Sequence, residues 1–143
     1  MRQLLHLHIA GEPMAVQSVR AVRMGKSIRT FQPKKVEDWK SYVRVNILSQ
    51  LPEGWQVLDE PLAVEYTLKF PPLKSMRKAE LKAIEAGDTV YKPKKPDFDN
   101  CLKGLNDCLS GIVWRDDALV VKATVEKVYA VNPEIEVIIY ACN

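Results

Sequence analysis

The sequence predicts a single α+β domain in which two main helices pack on a small mixed β-sheet. Its 143 residues are enough for one domain and short for two. Segments in which apolar and polar residues alternate, as in half-buried strands, are interspersed with segments of helical periodicity. Hydrophobic residues make up 47% of the chain and charged residues 27%, which are globular proportions and exclude a disordered or collagen-like protein.

The first half of the chain predicts a strand, a basic hairpin or loop, a helix and a second strand. Residues 3–10 alternate between apolar and polar side chains, and the chain's two histidines fall on the solvent face of this strand. The basic segment turns around Gly25. Residues 34–51 have apolar side chains at helical spacing, and residues 62–70 alternate as a second strand.

The second half of the chain predicts two helices followed by two strands. Ser75 can cap a short helix that Gly87 closes. An extended segment of prolines and lysines leads into the next helix, because prolines and the residues before them disfavour helix. The predicted helices span residues 76–86 and 99–109, and the predicted strands span residues 119–129 and 134–141.

We expect neither a membrane segment nor a secretion signal. No apolar run approaches the about 18–20 residues that span a bilayer, and the N-terminus lacks the features of a signal peptide. The three cysteines are odd in number and their spacing matches no zinc pattern. We therefore expect reduced thiols, a cytoplasmic protein and no membrane partner.

Charge is unevenly distributed, although the net charge is only +3. Residues 1–50 carry a net charge of +6 and residues 97–143 carry −4. Basic segments that lead into a carboxylate cluster indicate a polyanion held beside a cation, but the same residues also fit a solvated surface. The basic residues concerned are Arg20, Arg23, Lys26, Arg29, Lys34, Lys35, Lys92, Lys94 and Lys95.

Acidic residues lie at both ends of the predicted helix 99–109. Asp97 and Asp99 lie at its start, where the helix dipole favours carboxylates, and Lys103 follows one turn later. Asp116 and Asp117 precede the next strand. If the fold brings one of this pair to the first two acids, the site has oxygen ligands only, which suits Mg²⁺ or Mn²⁺ and phosphate chemistry. A helix cap and a surface turn would use the same residues.

The same helix is predicted to have one apolar face that docks on the sheet. This placement makes Cys101 and Cys108 core residues rather than metal ligands, as is usual for free cysteines. The apolar face comprises Phe98, Cys101, Leu102, Leu105, Cys108 and Leu109.

The segment that contains these acids resembles the signature of the RusA family of Holliday-junction resolvases. It covers residues 95–121 and has the sequence KPDFDNCLKGLNDCLSGIVWRDDALVV. In that family a basic stretch precedes D-x-D-N, a lysine follows on the helix, and D-D-x-x-V lies downstream. Because three spaced elements match together, the resemblance is specific.

The resemblance implies an endonuclease that cuts four-way DNA junctions by paired symmetric nicks, as a homodimer, in recombination and repair. It implies Mg²⁺, with Mn²⁺ as a possible substitute, and no organic cofactor. By resemblance Asp97, Asp99 and Asp117 are catalytic carboxylates and metal ligands. Lys103 is the catalytic lysine, and the three lysines before the motif contact DNA.

A non-catalytic module of the same fold that binds branched DNA is the alternative. It would use the same basic surface and treat the acids as structural. Binding alone needs no carboxylates, which repel phosphate unless a metal neutralises them, so the joint presence of three acids and Lys103 favours the nuclease. The sequence leaves open the cleavage preference, the number of metal ions and whether the substrate is a phage genome or a host chromosome.

Overall fold

The computed structural model describes residues 1–16, 20–25, 27–31 and 34–142. Six strands and three α-helices lie within these residues, none of the helices being long and apolar enough to cross a membrane. The strands are β1 Arg2–Ala10, β2 Arg20–Met24, β3 Ser27–Phe31, β4 Leu62–Phe70, β5 Val120–Tyr129 and β6 Glu134–Ala141. The helices are α1 Lys34–Gln50, α2 Lys78–Glu85 and α3 Phe98–Leu109.

Four of these strands form a mixed sheet in the order β1-β6-β4-β5, and β2 and β3 form a separate antiparallel hairpin. β4 pairs antiparallel with β6 and parallel with β5. The parallel pairing needs a long crossover, which the segment containing α2 and α3 supplies. The predicted α+β fold with a small mixed sheet is confirmed, with α2 as a third, shorter helix.

The central strand β4 lies in the middle of the hydrophobic core. All of its alternating apolar side chains, from Leu62 to Phe70, are buried. Val43 and Ile47 of α1 and Leu105 of α3 belong to the same buried cluster. Since burying one large aliphatic side chain contributes about 1.5–3 kcal/mol, this cluster fixes both main helices on one face of the sheet.

The two main helices also contact each other through polar groups. Lys40 of α1 is buried, and its Nζ lies 3.1 Å from Oδ2 of Asp107 on α3. Cys108 donates to the Lys40 carbonyl with a sulfur–oxygen distance of 3.7 Å. Cys101 and Cys108 are buried free thiols, as predicted, and burial raises the pKa of Cys101 to about 11.

The structure corrects two local predictions. The short helix begins at Lys78 rather than at residue 76, and Ser75 does not cap it, because Arg77 occupies the N-cap position without a side-chain hydrogen bond. Phe98, which was assigned to the apolar face of α3, is 53% exposed. The reason is that the buried residues of α3 begin only at Cys101, one turn further along.

Gly104 allows the segment before β2 to pack closely on α3. The Val16 N–H donates to the Asn100 carbonyl at 3.0 Å, which ties this segment to the start of the helix. A Cβ atom on Gly104 would lie 2.3 Å from Val16 Cγ2 and 3.2 Å from Trp39 Cζ3. The first distance is far below van der Waals contact, so this close approach requires glycine.

Gly104→Ala is therefore expected to lower the free energy of unfolding. Alanine gains about 1 kcal/mol of helix propensity over glycine, but overpacking a core contact typically costs about 1–3 kcal/mol. Urea unfolding followed by circular dichroism measures the net change, with Lys103→Ala at the preceding exposed position as the control. If Gly104→Ala is instead more stable than the wild type by about 1 kcal/mol, the gain expected from helix propensity alone, the close packing of Val16 on Gly104 is wrong.

Candidate active site

The start of α3 presents two carboxylates and a lysine to solvent. Asp97 is the N-cap residue, and Asp99 lies in the first turn. Lys103 lies one turn further along, and all three side chains are exposed. Asp97 accepts a hydrogen bond from Lys95, with 3.0 Å between Nζ and Oδ1. The buried face of α3 thus leaves these acidic and basic groups exposed to solvent.

Lys127 of β5 holds the segment that leads into α3. Its ammonium group donates to the carbonyl oxygens of Lys94 and Pro96, both at 2.7 Å. The Lys92 N–H in turn donates to the Lys127 carbonyl at 2.8 Å. Because Pro96 immediately precedes Asp97, the two charge-assisted hydrogen bonds from the ammonium group fix the backbone position of Asp97 and hence the position of its carboxylate.

Asp117 is held by donors at the other end of α3. Trp114 Nε1 donates to Asp117 Oδ1 at 2.9 Å, and the Ser110 hydroxyl donates to the same oxygen. Asp116 instead caps the short 3-10 turn that follows, accepting from the Ala118 N–H at 3.1 Å. Asp117 is half-buried whereas Asp116 is exposed, so the oriented member of the acidic pair is Asp117.

A buried tyrosine links the central strand to this network. The Tyr66 hydroxyl donates to Asn106 Oδ1 at 2.7 Å, about one helical turn before Ser110. Burial raises the pKa of Tyr66 far above its usual range, the hydrogen bond to Asn106 lowers it in part, and the charge of Asp117 raises it further. Tyr66 is therefore a neutral donor that lies close to the Asp117 carboxylate.

The three predicted metal ligands are not gathered into one cluster. Within the part of the chain that the structure describes, Asp97, Asp99 and Asp117 do not form a group whose ligand atoms all lie within 4.8 Å of one another. Ser110, which contacts Asp117, lies about 16 Å from Asp99 along the helix axis. The donor chemistry still fits Mg²⁺ or Mn²⁺, because all the donors are carboxylate oxygens.

The other predicted DNA-binding residues lie on three segments. The hairpin carries Arg20 and Arg23 on β2 and Arg29 on β3, and Lys26 lies outside the described residues. The first turn of α1 carries Lys34 and Lys35, and the segment before α3 carries Lys94 and Lys95. These last four lysines are exposed.

Lys92 differs from these lysines because its side chain is only 9% exposed. Its ammonium group lies 5.2 Å from the ring centre of Phe70 and 5.1 Å from that of Tyr129. Desolvation lowers the pKa of Lys92, and the charges of Lys127 and Lys94 lower it further. The ring contacts indicate a structural role, and a phosphate contact by Lys92 stays a prediction.

Sequence reasoning noted Lys127 from the family resemblance, but it assigned an orienting role to none of the residues that hold the acids. Ser110 carried a signal, since it falls on the polar side of α3 seven positions before Asp117. Lys127 also carried a signal: it lies between Val125 and Tyr129 on the inward face of β5, where a charged residue is unusual. The role of Trp114 had no local signal, because its indole N–H meets the carboxylate only through the fold of the turn.

Comparison with known proteins gives two matches. The family described as endodeoxyribonuclease RusA matches residues 10–140, which include every predicted site residue. The chain is also 32% identical over 133 residues to the uncharacterized protein YqaN of Bacillus subtilis (strain 168). That alignment covers 92% of this chain and 92% of YqaN.

Tyr66 is expected to make stability fall at alkaline pH. The fold keeps its phenol neutral, whereas the unfolded chain ionises near pH 10. The unfolded state therefore loses a proton that the folded state keeps, and stability decreases as the pH rises above about 10. In urea unfolding between pH 7 and 11, Tyr66→Phe should reduce this decrease, while costing about 1 kcal/mol at pH 7 through the lost hydrogen bond.

Tyr91→Phe is the matched control, since Tyr91 is 62% exposed. It should leave the alkaline decrease as in the wild type. An identical pH dependence of stability in Tyr66→Phe and the wild type would contradict the conclusion that the fold keeps the Tyr66 phenol neutral.

Proposed function

The chain belongs to the RusA family of endodeoxyribonucleases, and we propose that it resolves four-way DNA junctions by paired symmetric nicks that require Mg²⁺. Family membership supports nuclease activity on Holliday junctions in recombination and repair. The observation that carries the finer proposal is the polar face of α3, where Asp97, Asp99 and Lys103 are exposed together. We also infer a homodimer and a cytoplasmic location.

Asp97 and Asp99 are the residues that would hold the divalent cation, in line with the preference of Mg²⁺ and Mn²⁺ for carboxylates. Asp117 is held by Ser110 and Trp114 at the other end of α3, so its role as a third metal ligand stays a prediction. When bound, such an ion polarises a phosphate and makes a bound water more acidic. The donors to Asp117 and the contact of Lys95 with Asp97 orient two of the carboxylates.

Lys103 would stabilise negative charge on the phosphate that is cleaved. It lies one turn after Asp99 on the same exposed face of α3, so one phosphate can lie between the acids and the ammonium group. Donors aimed at the place where charge develops are usually the largest single contribution to such catalysis. In this arrangement the acids would bind the metal ion and Lys103 would bind the phosphate.

Exposed lysines at the start of α1 and in the segment before α3 would bind the DNA backbone. Lys34 and Lys35 begin α1, Lys94 and Lys95 precede α3, and the two helices are in contact. Phosphate contacts release counterions, so binding should weaken steeply with added salt. Because phosphate contacts carry no sequence information, the shape of the branch would select the substrate.

A homodimer would match the two-fold symmetry of a four-way junction. A closed dimer places two identical active sites about one axis, and these would reach opposed strands of the branch. Paired symmetric nicks follow from that geometry without any further contact.

Asp99→Asn is expected to abolish cleavage while leaving junction binding intact. The change removes a metal-binding charge, but it leaves the exposed lysines in place. On a synthetic four-way junction with Mg²⁺, we expect a rate at least about 100-fold below that of the wild type, and an unchanged dissociation constant by gel mobility shift. Asp88→Asn is the control, since it makes the same charge change at an exposed position outside the site.

Equal loss of binding and cleavage in Asp99→Asn would contradict the assigned role. If the wild type binds the junction but cuts it in neither Mg²⁺ nor Mn²⁺, the protein is the alternative, a non-catalytic module for branched DNA.

Lys127 is expected to act as a positioning residue for Asp97. Lys127→Met removes the donors to the two carbonyls before Asp97, so the concentration of Mg²⁺ for half-maximal cleavage should rise about tenfold. Lys127→Arg should restore part of this loss, and junction binding should change little. Lys122→Met, at an exposed position of the same strand, should cleave like the wild type. An unchanged Mg²⁺ requirement in Lys127→Met would exclude the positioning role.

A further inference from the structure

The sheet face that is turned away from α1 and α3 carries a second group of possible metal ligands. His6 and His8 alternate with buried residues on β1, so they share its exposed face. Glu136 of β6 lies directly opposite His8 in the antiparallel pairing. These are the only histidines of the chain, and the active-site proposal uses neither of them.

The distances within this group would suit a shared metal ion. His6 Nε2 lies 3.4 Å from Glu136 Oε1, and His8 Nδ1 lies 3.7 Å from Glu136 Oε2. Good N–H···O hydrogen bonds are shorter, at about 2.7–3.2 Å. A tetrahedral ion with bonds of about 2.1 Å separates its ligand atoms by about 3.4 Å. One ligand atom from each residue lies within 4.8 Å of the others.

Neighbouring charges hold the group in this arrangement. Lys69 Nζ lies 3.0 Å from Glu134 Oε1 and 3.5 Å from Glu136 Oε2, so the lysine orients both carboxylates. Glu134 Oε1 also lies 3.4 Å from His8 Nδ1. Glu134 thus contacts the same ring nitrogen that faces Glu136.

We propose that His6, His8 and Glu136 bind one divalent transition-metal ion, of which Zn²⁺ is the probe. Two imidazoles and one carboxylate leave a fourth tetrahedral position for water or an exogenous ligand. Imidazole nitrogen favours Zn²⁺, Co²⁺ or Ni²⁺ over Mg²⁺, which prefers oxygen. The ligand chemistry and the sheet face both separate this site from the aspartates around α3, so the proposal does not depend on the proposed nuclease activity.

Equilibrium dialysis against Zn²⁺ tests the proposal. The untagged, metal-free full chain is dialysed with excess Mg²⁺, which competes for sites made of carboxylates alone. We expect one Zn²⁺ per chain in the wild type and an affinity at least about tenfold weaker in His8→Gln and Glu136→Gln. Glu65→Gln is the matched control, because Glu65 is an exposed carboxylate on β4 whose contact is with Tyr140.

Nuclear magnetic resonance of the wild type keeps the test decisive if a variant fails to fold. Because the chain has two histidines, its imidazole nitrogens give two resolvable sets of signals. Zn²⁺ should shift both sets at the same stoichiometry as in dialysis. Absence of Zn²⁺ binding, equal binding by Glu136→Gln and the wild type, or unshifted imidazole signals would each overturn the site.

Discussion

The burial of one face of α3 beneath the central strand is the constraint on which the rest of the structure depends. Leu105, Cys108 and Leu109 are completely buried, and Tyr66 of β4 donates directly to the helix at Asn106. An amphipathic helix held in this way has its rotation about its own axis fixed. Asp97, Asp99 and Lys103 are then exposed to solvent, which is why one short segment can carry both core residues and a candidate active site.

β5 connects the two ends of this helix. The strand begins just after the turn in which Asp117 meets Ser110 and Trp114, and near its end Lys127 donates to the carbonyls that precede Asp97. Because β5 is paired along its length with β4, its register is fixed by the sheet. Asp99 lies on α3 itself, and these contacts tie the segments that carry Asp97 and Asp117 to rigid elements, which is the arrangement a catalytic site needs.

Periodicity predicted the elements well because burial acts on whole faces of strands and helices. Alternation in 62–70 matched β4 to the residue, and helical spacing placed the start of α1 at Lys34. Prediction failed where a single residue had to be judged without its neighbours: Ser75 does not cap α2, and Phe98 is exposed. The acids of the candidate site were evident from their spacing, but the partners of Asp117 were not, because those contacts exist only once the turn has folded.

Cleavage of a supercoiled plasmid that extrudes a four-way junction tests the central claim most directly. The proposed homodimer with two metal-dependent sites would cut opposed strands of one junction before it dissociates, so the wild type should convert the plasmid to the linear form in Mg²⁺ and leave it supercoiled in EDTA. A product of nicked circles would contradict paired cleavage by a symmetric dimer. An uncut plasmid in both Mg²⁺ and Mn²⁺ would contradict the nuclease itself.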